Sequence, residues 1–171
     1  QPRWTDEYIA EHFPWATVGK PATRKHNFIT SLELDSAVQE QNNIRIQKKY
    51  KECEEKEVRY EMINCEDADY LFVAYGSSAR ICQKSIELAR AEGIKVGLFR
   101  PITLWPFPSK QLKEAAKNVK GILSVEMNAG QMIEDVKLAT ECRVKTEHYG
   151  RNGGMIPDPN EILEALKKQI M

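Results

Sequence analysis

The chain has 171 residues, room for one domain of ordinary size and too little for two. Hydrophobic residues make up 42% and charged residues 29%, a globular composition that excludes a disordered or fibrous chain. Lys plus Arg and Asp plus Glu both number 25, so the net charge is zero and supplies no overall field for nucleic acid or an anionic membrane.

The N-terminal Gln1-Pro2-Arg3-Trp4 has neither an initiator Met nor a signal-peptide pattern and reads as a point inside a longer chain. The longest apolar runs, such as Leu71 to Tyr75, are strand-sized, so no membrane span is expected. Cys53, Cys65, Cys82 and Cys142 form no C-x-x-C pair, and His12, His26 and His148 are scattered. Zinc and iron–sulfur sites usually draw on closely spaced ligands, so these cysteines read as reduced structural thiols of a cytoplasmic protein. Cys82 and Cys142 fall in helix-like apolar stretches, where Cys acts as a small hydrophobe.

Residues 1–35 carry Trp4, Phe13, Pro14, Trp15, Pro21 and Phe28 with no helical or strand period, so the segment reads as an irregular arm needing another surface to cover it. Residues 36–57 are rich in helix formers and charge, with a sparse stripe at Ile46, Tyr50 and Cys53, and predict a solvated or bridging helix. Val58, Tyr60 and Met62 alternate with Arg59 and Glu61, the period of a half-buried strand at a sheet edge. The organisation that follows is an arm, polar helix and linker strand over 1–66 and an α/β domain over 67–171.

From Asp69 onward, short apolar runs alternate with amphipathic helices. Tyr70 to Tyr75 is nearly all apolar, as in a strand covered on both faces. Gly76-Ser77-Ser78 turns the chain, Ser77 or Ser78 is placed to cap a helix through Glu92, and Gly93 stops it. Val96 to Phe99 is the next strand, and Arg100 to Pro108 forms a stiff loop whose Pro108 starts a helix toward Asn118. Gly121 to Val125 is a third strand of this region; Asn128 and Gln131 have the spacing of a capping box for a helix through Thr140. Val144 to His148 is a fourth, and Asp158, Pro159 and Glu161 supply cap, N1 and N3 of the last helix. Repeated strand–helix units predict a three-layer α/β/α fold with a mostly parallel sheet.

Four segments could carry chemistry. The Gly76, Ser77, Ser78, Arg80 turn lies between a strand and a helix, where free N–H groups can hold an anion; the same residues also serve an ordinary capped turn. Glu126 and Asn128 stand at the carboxyl end of a strand, where open α/β sheets gather ligands, although Asn128 is already explained as a cap and Glu126 is not. Arg100, Trp105 and Phe107 offer apolar surface on a proline-stiffened loop, suited either to docking a subunit or to covering a helix end. Arg151-Asn152-Gly153-Gly154 is a flexible tip that could take an anion, although glycine pairs usually mark only a turn. No dinucleotide or P-loop fingerprint, Gly-x-Ser-x-Gly elbow or H-E-x-x-H occurs, so no complete active site can be read from the residues.

Asp67 through Arg80 resembles the start of the transketolase C-terminal-like domain of 2-oxoacid:ferredoxin oxidoreductases. Val96 through Pro108 resembles that family's second strand and loop, and Val125 through Met132 its third strand and following helix. The resemblance covers residues 26–165, and Ser31-Leu32 with Lys49-Tyr50 and Glu57 to Glu61 are most similar to the branched-chain type, which oxidises 2-oxoisovalerate. It implies an enzyme that uses thiamine diphosphate with Mg2+, coenzyme A and iron–sulfur clusters, converting a 2-oxoacid to acyl-CoA and CO2 while reducing ferredoxin. It implies as partners a pyrimidine-side domain of the same subunit, a thiamine diphosphate-binding subunit and a ferredoxin-like subunit. This segment resembles the domain that buttresses the assembly, so the resemblance brings no catalytic, cofactor or metal residue to it. A 2-oxoglutarate-type subunit and a stand-alone nucleotide- or anion-binding domain are the other expectations.

Overall fold

The computed structural model describes residues 4–15, 25 and 30–171. Pro21, His26 and Phe28, read above as arm residues or scattered histidine, lie outside them. The chain divides into two compact units, residues 1–45 and 46–171.

In the first unit the arm is not irregular throughout. Helix α1 (Asp6–His12) starts at Thr5, whose hydroxyl accepts the Tyr8 N–H at 3.2 Å, and Asp6 and Glu7 favour its positive end. Trp4 stacks on Phe13 at 4.7 Å and Tyr8 on His12 at 4.0 Å, yet Trp4 stays 53% exposed. The spacing hid this helix because it is only seven residues long and buries none of them. Helix α2 (Ser36–Lys56) begins at Asp35, whose carboxylate accepts the Ala37 and Val38 N–H groups, and crosses from one unit into the other with no buried residue.

The second unit holds strands β1 (Tyr60–Ile63), β2 (Tyr70–Ala74), β3 (Val96–Pro101), β4 (Gly121–Glu126) and β5 (Thr146–Gly150). They form one sheet in the order β1-β3-β2-β4-β5, antiparallel at β1 and parallel elsewhere. The segment read as a linker strand is the edge strand β1, paired Glu61 to Arg100 and Met62 to Phe99. Helices α3 (Gly76–Ala91) and α6 (Pro159–Gln169) cover one face; α4 (Ser109–Ala115) and α5 (Met132–Ala139) cover the other. Along β2, Phe72 and Ala74 face the first pair and Leu71 and Val73 the second, which is why this strand reads as one apolar run.

Several local expectations are corrected. α3 begins at Gly76 with Tyr75 as its cap residue and no side-chain cap bond, because Gly76 adopts φ +56° and turns the chain straight into the helix; Ser77 and Ser78 lie inside it. Pro108 is the N-cap of α4 rather than N1, and the helix ends at Ala115. β5 runs from Thr146 to Gly150, two residues later than expected. Cys142 is not in an apolar helix: it is exposed at φ +54° in the turn after α5, whereas Cys82 is fully buried as expected. At α6 the cap is Asp158, which accepts the Asn160 N–H at 2.8 Å, with Pro159 at N1. Glu161 turns away from the helix end and bonds Tyr149 and Arg151 instead. Gly93, at φ +80°, ends α3 as read.

Candidate functional site

Parallel pairing sets Ala74 of β2 beside Val125 of β4, so the chain segments that follow these strands leave the same edge of the sheet side by side. From β2 the chain passes through α3 to β3 on one side, and from β3 through α4 to β4 on the other. The order of strands therefore reverses between β2 and β4, the position where open α/β sheets form a crevice at their carboxyl ends. The structure brings the Gly76 turn and the Glu126–Asn128 segment together there. It places Arg80 one turn into α3 and exposed.

Glu126 is fully buried, and its carboxylate is already in use. Oε2 accepts the N–H groups of Gln131 at 3.1 Å and Met132 at 2.9 Å; Oε1 accepts that of Ile133 at 3.1 Å and the Ser124 hydroxyl at 3.0 Å. These are the free N–H groups of the first turn of α5, so Glu126 is the cap of that helix, reached across the Met127–Gly130 loop. The expected Asn128–Gln131 capping box does not form: Gln131 makes no side-chain cap bond, and Asn128 Oδ1 accepts the Gly130 N–H at 2.7 Å inside the loop. Burial pushes the Glu126 carboxyl up, but the Met132, Gln131, Ser124 and Asn128 hydrogen bonds outweigh it and hold it below the usual range.

His148 was not singled out by sequence. It pairs with Ser124 across β4 and β5, and its Nε2, 3.9 Å from Glu126 Oε1, is buried without a hydrogen-bond partner. A side chain at Gly150 would collide with the Asn128 carbonyl and this ring, so the glycine there is required by close packing. Only the alternation of Ser124 and Glu126 on one strand face could have hinted that a third polar group faces them from β5.

Arg100 turns from the strand-end crevice toward β1, where Nη1 meets Glu61 at 2.8 Å. Trp105 is 57% exposed with its ring edge-on to Tyr50 at 5.2 Å, and its peptide bond to Pro106 is cis. Phe107 packs against the core on the α4–α5 face, while Trp105 stays exposed beside Tyr50. Nothing in the sequence points to Arg90, which donates to the carbonyls of Val96 at 3.0 Å and Asn64 at 2.9 Å and pairs with Asp67 at 2.7 Å, binding the end of α3 to β3 and to the turn between β1 and β2. Among the described residues no three His, Cys, Asp or Glu side chains are grouped to hold a metal ion, and no helix is long and apolar enough to cross a membrane.

A five-stranded, mostly parallel sheet with two helices on each face is the architecture of transketolase C-terminal-like domains. It superposes on 2-oxoglutarate:ferredoxin oxidoreductase from Magnetococcus marinus with a TM-score of 0.66 at 22% identity, covering 81% of this chain and 24% of that one. A split-gene transketolase gives 0.56 at 18% identity, covering 66% of this chain and 41% of that one. The chain belongs to the family described as pyruvate:ferredoxin oxidoreductase core domain II, which it matches over residues 68–162. It is 45% identical over 165 residues to the ketoisovalerate oxidoreductase subunit VorB of Methanothermobacter marburgensis, which covers 95% of this chain and 46% of that subunit. The chain thus spans about half the length of the curated relatives it matches.

Proposed function

We propose that this chain is the assembly domain of a subunit of a thiamine-dependent ketoisovalerate:ferredoxin oxidoreductase. In the reaction, 2-oxoisovalerate loses CO2, its acyl group passes to coenzyme A, and the two electrons released reduce ferredoxin. The observation that carries this reading is the 45% identity to a ketoisovalerate oxidoreductase subunit over 95% of this chain, which reaches well beyond the 68–162 core domain.

Among the described residues no side chains are grouped to hold the reaction's metal-dependent cofactors. A magnesium diphosphate needs free oxygen ligands and an iron–sulfur cluster needs grouped thiolates. Glu126, the buried carboxylate at the strand ends, has both oxygens occupied by the α5 cap and Ser124. The four cysteines are separate free thiols. On this reading thiamine diphosphate sits between a pyrimidine-side domain of the same subunit and a diphosphate-binding partner subunit, a ferredoxin-like subunit takes the electrons, and this domain holds them in register. The complex works in the cytoplasm.

The test is CoA-dependent viologen reduction by the assembled complex, offered 2-oxoisovalerate and 2-oxoglutarate in turn. The reading expects kcat/KM for 2-oxoisovalerate to exceed that for 2-oxoglutarate by about tenfold or more, since a pocket lined for an apolar branch leaves a second carboxylate unpaired. The reverse preference would assign the complex to the 2-oxoglutarate type.

A further inference from the structure

The β1 edge of the sheet, unpaired among the described residues, has a self-complementary pattern. On the β3 side, the Arg59 carbonyl accepts the N–H groups of Ile102 at 3.0 Å and Thr103 at 3.1 Å. Backbone groups alternate sides along a strand, so Arg59, Glu61 and Ile63 bond β3, while Val58, Tyr60 and Met62 present their N–H and C=O groups outward. Among the described residues β1 is the last strand on this side of the sheet, and it carries neither proline nor bulge to blunt the edge. Tyr60 and Met62 are each 41% exposed and line a groove of about 510 Å³ beside α4. Tyr60 stacks flat on Phe99, with ring centroids 5.5 Å apart.

We propose that this edge takes a second copy of the chain, β1 against β1, antiparallel about a two-fold axis at Tyr60. In that register Tyr60 of each copy exchanges both backbone hydrogen bonds with Tyr60 of the other, and Met62 pairs with Val58 of the second copy. Arg59 then stands directly opposite Glu61 of the second copy, twice, at the non-hydrogen-bonded positions where side chains come closest. Glu61, already held by Arg100 at 2.8 Å, lies between two arginines, and Arg59 exchanges its exposed partner Glu57 for it. On the other face the Tyr60–Phe99 stacks of the two copies meet. An axis at Glu61 would set carboxylate against carboxylate, and one at Arg59 would set arginine against arginine. Among these three axes charge complementarity selects the one at Tyr60, and the contact is isologous and closed, joining two five-stranded sheets into one.

Sedimentation equilibrium of the chain from about 10 μM to about 1 mM tests this, with Arg59→Glu and Glu61→Arg as variants. The wild type gives a reversible monomer–dimer equilibrium. Each variant alone faces like charges across the axis and weakens the dimer about tenfold or more. An equimolar mixture of the two restores it as a heterodimer, because each new charge then meets its opposite. Both positions are exposed, and melting curves check that each variant folds. A wild type that stays monomeric, single variants that dimerise as the wild type does, or a mixture that fails to recover would each overturn the proposal.

Discussion

The carboxylate of Glu126, at the end of β4, accepts the backbone N–H of Met132 at 2.9 Å and seats the first turn of α5 on the strand before it. Glu126→Gln keeps the shape but loses the charge from four hydrogen bonds, and is expected to cost about 2 kcal/mol; Glu126→Ala orphans the helix N–H groups and costs about 3 kcal/mol or more. Its carboxyl lies below the ordinary value of 4.5 when folded, so its contribution is full above that pH and is lost as pH falls through the folded value. Urea melts from pH 7 down to pH 3 check this: the wild type should lose its advantage over Glu126→Gln at the acid end. A gap that stayed constant would show that the cap does not depend on charge.

Two glycines separate backbone strain from steric collision. At Gly76 a Cβ would meet nothing within 4 Å, so Gly76→Ala carries only the φ +56° strain, about 1 kcal/mol. At Gly97 a Cβ would stand 2.7 Å from the Asn64 carbonyl oxygen and 2.9 Å from the Cys65 Cα, both backbone, so Gly97→Ala should cost about 3 kcal/mol. Denaturant midpoints of the two variants give the order directly; equal losses would mean that the β1–β2 turn yields.

The contrast between β2 and α5 explains what the sequence could and could not reveal. Tyr70–Ala74 is legible because both faces of β2 are covered, and Asp158 because its cap bond spans two residues. The α5 cap joins Glu126 to Ile133, seven residues on, across a turn that depends on Gly130 at φ +105°. A short Asn-x-x-Gln pattern inside that turn suggested the wrong donor. His148 acquires its role through strand pairing and Arg90 through bonds to β3 and the β1–β2 turn, neither of which a local period encodes. The pairing of β2 with β4 brings the two strand-end segments side by side, and Glu126, which has no local duty in the sequence, caps α5 there.

Thiol reactivity should follow burial. Burial pushes the Cys65 thiol up to about 11 and raises Cys82 further, whereas Cys142 is exposed. Alkylation at pH 8 followed by mass spectrometry should label Cys142 first and leave Cys82 unmodified until the chain unfolds. Early labelling of Cys82 would mean that α3 opens locally.

Hydrogen exchange should divide the chain. α1 and α2 bury no residue, while Val73, Leu98 and Val125 are fully buried in paired strands. Amides over residues 36–56 should exchange at rates close to those of a free helix, and those three strands at the rate of global unfolding. Equal protection in a verified monomer would mean that the polar helix is covered by this domain.

If this domain supports the oxidoreductase while thiamine chemistry takes place elsewhere in the complex, it binds no thiamine diphosphate by itself. Calorimetric titration of the chain with thiamine diphosphate and magnesium tests it most directly. No saturable heat is expected at cofactor concentrations up to about 1 mM. A specific isotherm with a Kd of about 1–10 μM would contradict it and place a thiamine site on this chain.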